Sequence, residues 1–362
     1  MANSFIQSNK LFSYTATSCV RNDYLYNECR ICVDICPEKA FGIVRNKLVL
    51  FESQCNACAV CIGSCPTEAL VLESFDPNLF SAAIKREEPL ELSCKKNTPC
   101  LAVFDTHHYI VMALESEISC DMTHCTECSL NNANATQRII REKMAAANDF
   151  FAACGVDAAI ASIEERTEEL PQRRAIFRAA VENFKEGMEE EEKRAYGSDF
   201  EKITEQERQS GEPIKHILLR EAIKRHIGRF TTTRFSEKSE LFIDKTITFA
   251  SCTNCSDCVQ FCPTKALQAT SDKQGIVIYP GQCIGCGICD HICKTDAIST
   301  KEEFDLVELA FNRPRELVRF EMVMCRECRC PYPYRGGDPI CERCKGFQAD
   351  FADMFTLARD IG

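Results

Sequence analysis

The 362-residue chain has no run of about 18 apolar residues, so no membrane-spanning helix is expected. Its start, Met1 to Gln7, lacks the basic and apolar regions of a secretory leader, which points to the cytoplasm. No Gly-x-Gly-x-x-Gly opens a helix and no Walker loop is present, so no nucleotide or flavin site is signalled. No Ser-His-Asp arrangement suggests hydrolysis. Basic residues are outnumbered, 43 Lys and Arg against 54 Asp and Glu, giving a formal net charge of −11. That balance argues against nucleic acid and suits docking on a basic partner. Apolar content is ordinary at 45%, enough for real cores within two to four domains.

Cysteine is what the chain has in excess, with 27 residues. Fifteen fall into four short runs that form two pairs. The first pair reads Cys29-x2-Cys32-x3-Cys36-Pro37 and Cys55-x2-Cys58-x2-Cys61-x3-Cys65-Pro66. The second reads Cys252-x2-Cys255-x2-Cys258-x3-Cys262-Pro263 and Cys283-x2-Cys286-x2-Cys289-x3-Cys293. Disulfide frameworks belong to secreted proteins, and these are ligand spacings instead. Three thiolates two residues apart can wrap one [4Fe-4S] cube while the fourth reaches a neighbouring cube. The runs continue as Pro37-Glu-Lys-Ala-Phe, Pro66-Thr-Glu-Ala-Leu, Pro263-Thr-Lys-Ala-Leu and Lys294-Thr-Asp-Ala-Ile. A small Ala followed by a large apolar residue suits a short helix packed on a cluster. The repeat therefore extends past the cysteines.

These residues resemble the 2[4Fe-4S] bacterial-type ferredoxin family over roughly residues 15–75 and 245–300. The resemblance implies crossed ligation: Cys252, Cys255, Cys258 and Cys293 on one cube, Cys283, Cys286, Cys289 and Cys262 on the next. In the first pair it implies Cys55, Cys58 and Cys61 with Cys36. The remaining cube departs from the pattern, because Tyr26 stands where its first cysteine belongs. Cys19 can replace it through a longer loop, giving Cys19, Cys29, Cys32 and Cys65. The alternative is a three-iron cluster with Cys19 merely buried. Lys294 in place of proline affects the turn rather than ligation.

Between the pairs, residues 90–163 alternate in type. Strands are expected at Leu90–Ser93, Glu117–Asp121 and Ala158–Ile163, and helices from Pro99 to Leu114 and from Ala133 to Ala153. The second helix carries Ile139, Ile140, Met144 and Phe151 on one face, with Gly155 as its C-cap. That order implies a parallel sheet, whose ligands gather at the carboxyl ends of the strands. Cys94, Cys100, Cys120, Cys125 and Cys128 fall at or near those ends. Three readings stand: an iron–sulfur centre, a structural zinc, or a redox-active or buried thiol cluster. The stretch Cys125-Thr-Glu-Cys-Ser-Leu-Asn-Asn-Ala-Asn-Ala-Thr-Gln-Arg is similar to the methyl-viologen-reducing hydrogenase delta-subunit family, whose usual adjacent Cys-Cys pair is missing here. That resemblance implies a [2Fe-2S] centre and redox-subunit partners, a hydrogenase or a molybdenum or tungsten oxidoreductase such as formate dehydrogenase.

Residues 164–229 are densely charged. Ile176, Phe177, Ala180, Val181 and Phe184 mark one helical face, and Lys215 to Gly228 reads as an amphipathic surface helix with Arg220, Lys224 and Arg225 on its polar side. In the tail, Cys325-x2-Cys328 and Cys341-x2-Cys344 flank a turn-rich loop. They read as a zinc ribbon, with a rubredoxin-like iron as the alternative and Cys330 as a spare ligand.

The expected architecture is α+β and multidomain. Ferredoxin modules at 1–78 and 241–304 flank a βαβ domain at 88–165 and a helical connector at 166–240, with a zinc-ribbon-like tail at 305–362. The expected function is electron relay through four [4Fe-4S] clusters as a soluble, non-catalytic subunit in anaerobic metabolism. The alternatives are a disulfide- or sulfur-reducing enzyme using the central cysteines, and a scaffold or maturation protein.

Overall fold

The computed structural model describes residues 12–24, 27–84, 89–165, 200–207, 209–236, 239 and 241–351. Helices and strands are mixed throughout, and the two cysteine-rich ends use the same arrangement twice. At the first, strand Phe12–Tyr14 pairs antiparallel with Leu70–Leu72, and Phe41–Val44 forms a hairpin with Lys47–Leu50. The hairpin turns on Arg45 and Asn46, both left-handed at φ 49° and 62°, as a two-residue turn matching strand twist requires. At the second, Asp244–Ile247 pairs antiparallel with Ile298–Lys301, and Leu267–Ala269 with Gly275–Ile278. Order and pairing are the same in both.

The repeated Ala does not enter a helix. The residues before it, Lys39, Glu68, Lys265 and Asp296, are all left-handed, with φ between 49° and 54°. Each turn delivers the Ala into extended backbone just ahead of a strand. The carbonyls of Ala40, Ala69, Ala266 and Ala297 accept from the N–H of Phe51, Thr15, Tyr279 and Thr248 at 2.7–2.8 Å. The four alanines are no more than 2% exposed. Strand hydrogen bonding thus wins over the short helix expected there, and the small side chain lets the strand press on the cysteines.

In the middle, Leu90–Ser93, Ile118–Asp121 and Ile160–Ile163 form a three-stranded parallel sheet in that order. Helix Ala135–Cys154 buries Ile139, Ile140, Met144 and Phe151 and ends at Gly155, left-handed at φ 61°. The preceding helix starts at Thr106, not near Pro99. Leu101–Val103 is a 3-10 turn, and extended backbone at Phe104 and Asp105 interrupts the path. Asp105 then caps the helix: its carboxylate accepts from Thr106 N at 3.0 Å and its N–H donates to His108 Nδ1 at 2.9 Å. A reciprocal cap of this kind fixes a helix start more firmly than composition does.

Helix Ile214–His226 is a core helix rather than a surface one, with nine of its residues buried. Arg220 is buried in a two-pronged pair with Glu212, both contacts 2.9 Å. One continuous apolar core joins this helix to the first module, the parallel sheet and Phe304–Ala310. The second module has its own core around Ile276, Ile278 and Phe320. Strand Arg315–Arg319 adds to that module's sheet beside Gly275–Ile278, so residues 315–319 pack with the module rather than with the tail. The face carrying Ile176, Phe177, Ala180, Val181 and Phe184 lies outside the described residues.

Candidate functional site

Four sets of cysteines are brought together in the two modules. Cys36, Cys55, Cys58 and Cys61 line one cavity with Phe12, Phe41 and Val60. Cys19, Cys29, Cys32 and Cys65 line a second with Tyr14, Leu48 and Leu70. Cys262, Cys283, Cys286 and Cys289 line a third with Lys245 and Ile278. The fourth set shows in the electrostatics: burial pushes the Cys258 thiol up to about 12, and Cys255, Cys252 and Cys293 add to it. The last cysteine of each run sits with the other run of its module. Cys19 stands among Cys29, Cys32 and Cys65, while Tyr26 lies outside the described residues.

The donor sets suit a group that holds thiolates. Burial raises Cys32, and Cys65, Cys29 and Cys19 raise it further. Burial likewise raises Cys61, helped by Cys58, Cys32, Cys36 and Cys55. Packed together, such thiols stay protonated unless a cation binds them. Backbone N–H groups also point at sulfur: Ala40 to Cys36 and Ala69 to Cys65 at 3.3 Å, Ala297 to Cys293 at 3.2 Å. Hydrogen bonds of this kind to cluster sulfurs tune potential. Helix Ile31–Asp34, which carries Cys32, contacts helix Val60–Ser64, which carries Cys61, so the two sets of the first module lie close together.

In the middle domain, the structure gathers four of the five candidate cysteines. Cys100 is pushed up to about 12 by burial and then by Cys58, Cys94 and Cys125. Cys125 is pushed up to about 11 by burial, Cys94 and Cys128. Cys120 lies elsewhere: it is fully buried in the core, raised to about 12 by burial, with Tyr109 as its hydrogen-bonding partner. Its side chain alternates to the core face of the strand, a period-of-two effect that position in the sequence did not resolve.

The tail thiols differ in spacing. Cys325, Cys328, Cys341 and Cys344 place every sulfur within 4.8 Å of every other, the one such set among the described residues. Cys328 and Cys341 are 3.8 Å apart, the edge of a tetrahedron with metal–sulfur bonds of about 2.3 Å. Burial raises Cys325, but the N–H groups of Cys341, Cys328 and Glu327 outweigh it and bring the thiol down to about 6. This set can hold one metal ion. Cys330 is exposed and stands outside it. Arg335, in the intervening loop, donates to the carbonyls of Ala250 and Cys252, so the tail rests against the second module.

A buried polar network went unread in the sequence. Lys215, 1% exposed, donates to Asp105 Oδ2 at 2.7 Å and to Gly63 O at 2.8 Å. The His107 and His216 rings meet tilted at 50°, centres 4.5 Å apart, and Lys143 donates to Phe104 O at 3.1 Å. Burial lowers Lys143 to about 8, against which Asp105, Cys61 and Cys100 favour its charge. Gly63 is needed here, because a Cβ would come within 2.4 Å of Val103 O. No helix among the described residues is long and apolar enough to cross a membrane.

Residues 251–298 match the model of a 4Fe-4S dicluster domain. An uncharacterized ferredoxin of Methanocaldococcus jannaschii is 33% identical over 60 residues, which cover 95% of that protein and 16% of this chain. A ferredoxin of Methanothermococcus thermolithotrophicus is 40% identical over 48 residues, 78% of that protein and 13% of this chain. The second module therefore defines an iron–sulfur protein of the dicluster type. The chain belongs to the ferredoxin family, with an electron-transfer role.

Proposed function

We propose that the chain is a four-cube electron relay, with both ends built as dicluster modules and a further iron–sulfur centre in the middle domain. The observation that carries this reading is the gathering of Cys19, Cys29, Cys32 and Cys65 around one cavity. It supplies four thiols where the run itself offers three. Each cube exchanges one electron, and the protein's part is to hold it, shield it and set its potential. The middle set, Cys94, Cys100, Cys125 and Cys128, is more open than the single-ion set of the tail, which favours a cluster over zinc. The turn Leu101–Val103 that follows Cys100 packs on helix Val60–Ser64 of the first module, so that centre adjoins the module. The tail set is the zinc site, structural in role. The partners are redox subunits of a hydrogenase or a molybdenum or tungsten enzyme, met in the cytoplasm.

Reductive titration of anaerobically purified protein should consume about four electrons per chain in the cubes, one for each. Removing the tail metal should leave that number unchanged. Turnover of a disulfide or sulfur substrate by the isolated chain, abolished by Cys125→Ala, would instead establish the reductase reading.

Lys245 should set one potential. It lines the Cys262 set, is 2% exposed, and donates to Asp290 Oδ2 at 2.6 Å and Thr300 Oγ1 at 2.8 Å. A cation there favours the reduced, more negative cluster. Lys245→Met should lower one midpoint on the order of 50–100 mV, the Coulomb energy of one charge at about 8 Å and an effective dielectric near 20. Potentiometric EPR checks it, and four unchanged midpoints would contradict it.

A further inference from the structure

Three of the four runs bend the same way. Ala57 and Ala59, Asn254 and Ser256, and Gly285 and Gly287 are left-handed at matching positions. The first run breaks this pattern where Tyr26 replaces a cysteine: Arg30, the counterpart of Ala59, has φ −131°. Asn27 and Asn56 nevertheless occupy equivalent places, two residues before Cys29 and Cys58. Each caps its run, with Asn27 Oδ1 accepting from Cys29 N at 2.8 Å and Asn56 Oδ1 from Cys58 N at 3.1 Å. Their spare amide hydrogens go to different places. Asn56 Nδ2 donates within its own module, to Glu38 Oε1 at 3.1 Å. Asn27 Nδ2 donates to Cys286 O at 3.1 Å, in the other module and 259 residues away.

Asn27 is 3% exposed, so the contact excludes water. Next to it Tyr24 packs on Phe261, ring centres 5.4 Å apart, and Phe261 immediately precedes Cys262. The Cys19/Cys29/Cys32/Cys65 set therefore faces the Cys262/Cys283/Cys286/Cys289 set across a junction with the buried Asn27 at its centre. Electron tunnelling decays more slowly through covalent and hydrogen bonds than through open space. Here a bonded path runs from Cys29 through its N–H to the Asn27 amide and on to the Cys286 carbonyl.

We propose that Asn27 is the junction through which electrons pass between the two halves of the chain, from the cluster at Cys29 to the cluster at Cys286 or back. One cluster loses an electron and the other gains it; no bond is made and no proton moves. The relay then has a serial order: the middle-domain set, the Cys36 set, the Cys19 set, the Cys262 set, the Cys252 set. This order rests on the four-cube reading.

The test is pulse reduction of the full holoprotein with less than one electron per chain, following redistribution among clusters. Asn27→Val should slow the intramolecular phase at least tenfold while iron content stays at the parental level. Asn27→Asp keeps the acceptor for Cys29 N and loses the donor to Cys286, so it should slow the phase too, and it carries the test if the Val variant loses iron. Equal rates in the parent and an iron-replete Asn27→Asp protein overturn the proposal and leave the four cubes standing. A parent that holds about 8 irons instead overturns the four-cube reading itself.

Discussion

Lys215→Met should destabilise the protein by about 3–5 kcal/mol, the cost of removing one partner from a buried ion pair. The ammonium is 1% exposed and serves two acceptors, Asp105 and the Gly63 carbonyl. Burial alone would push the Asp105 carboxyl up; Lys215, His107 and Lys143 together outweigh it and hold the group well below the usual carboxylate range. Without Lys215 the carboxylate keeps its cap, His107 and the more distant charge of Lys143. The stability Asp105 contributes is present above the ordinary carboxylate pKa and is lost as pH falls through its lower folded value. Thermal unfolding should show a midpoint lower by on the order of 10 °C. Asp105→Asn in the same protein should recover part of the loss, because the orphaned charge is then gone. A change under about 1 kcal/mol would show that water already reaches this pair.

Iron removal should unfold the second module and spare the middle. The second module's buried core is small and counts Cys252 and Cys258 among its own members. A four-thiolate metal site contributes on the order of 10 kcal/mol of folding free energy, comparable with the whole stability of a domain. Stripped of metal, its crowded thiols have nothing to close around. The parallel sheet is different: Leu92, Phe104, Tyr109 and Phe151 fill its core without any cluster. Amide exchange of chelator-treated protein should lose protection at residues 244–301 and retain it at 135–154. Uniform loss at both would mean that the middle domain also depends on its cysteines.

The site was legible in the sequence where chemistry fixes spacing. Three thiolates around one cube recur at short intervals, so the runs could be read directly, while their crossed grouping was what the ferredoxin resemblance implied. The parallel strands were legible because apolar runs alternate with a long periodic helix. The failures share a cause: each depended on a partner far along the chain. Ala40 and its three counterparts look helical until Phe51, Thr15, Tyr279 and Thr248 take their carbonyls. Arg220 looks like part of a solvated face until Glu212 covers it, and Lys215 gives no sign of its partner Asp105. Cys120 shares the sheet edge with the other candidates but points to the core, against Tyr109. Asn27 carries no signal of its own, because its partner Cys286 is 259 residues away.

The measurement that bears most directly on the four-cube account is iron and acid-labile sulfide per chain in anaerobically purified protein. The account predicts about 16 of each from the modules and about 18 with a two-iron centre in the middle domain. About 15 irons would make the Cys19 set a three-iron cluster, and about 8 would leave a single dicluster module and contradict the relay.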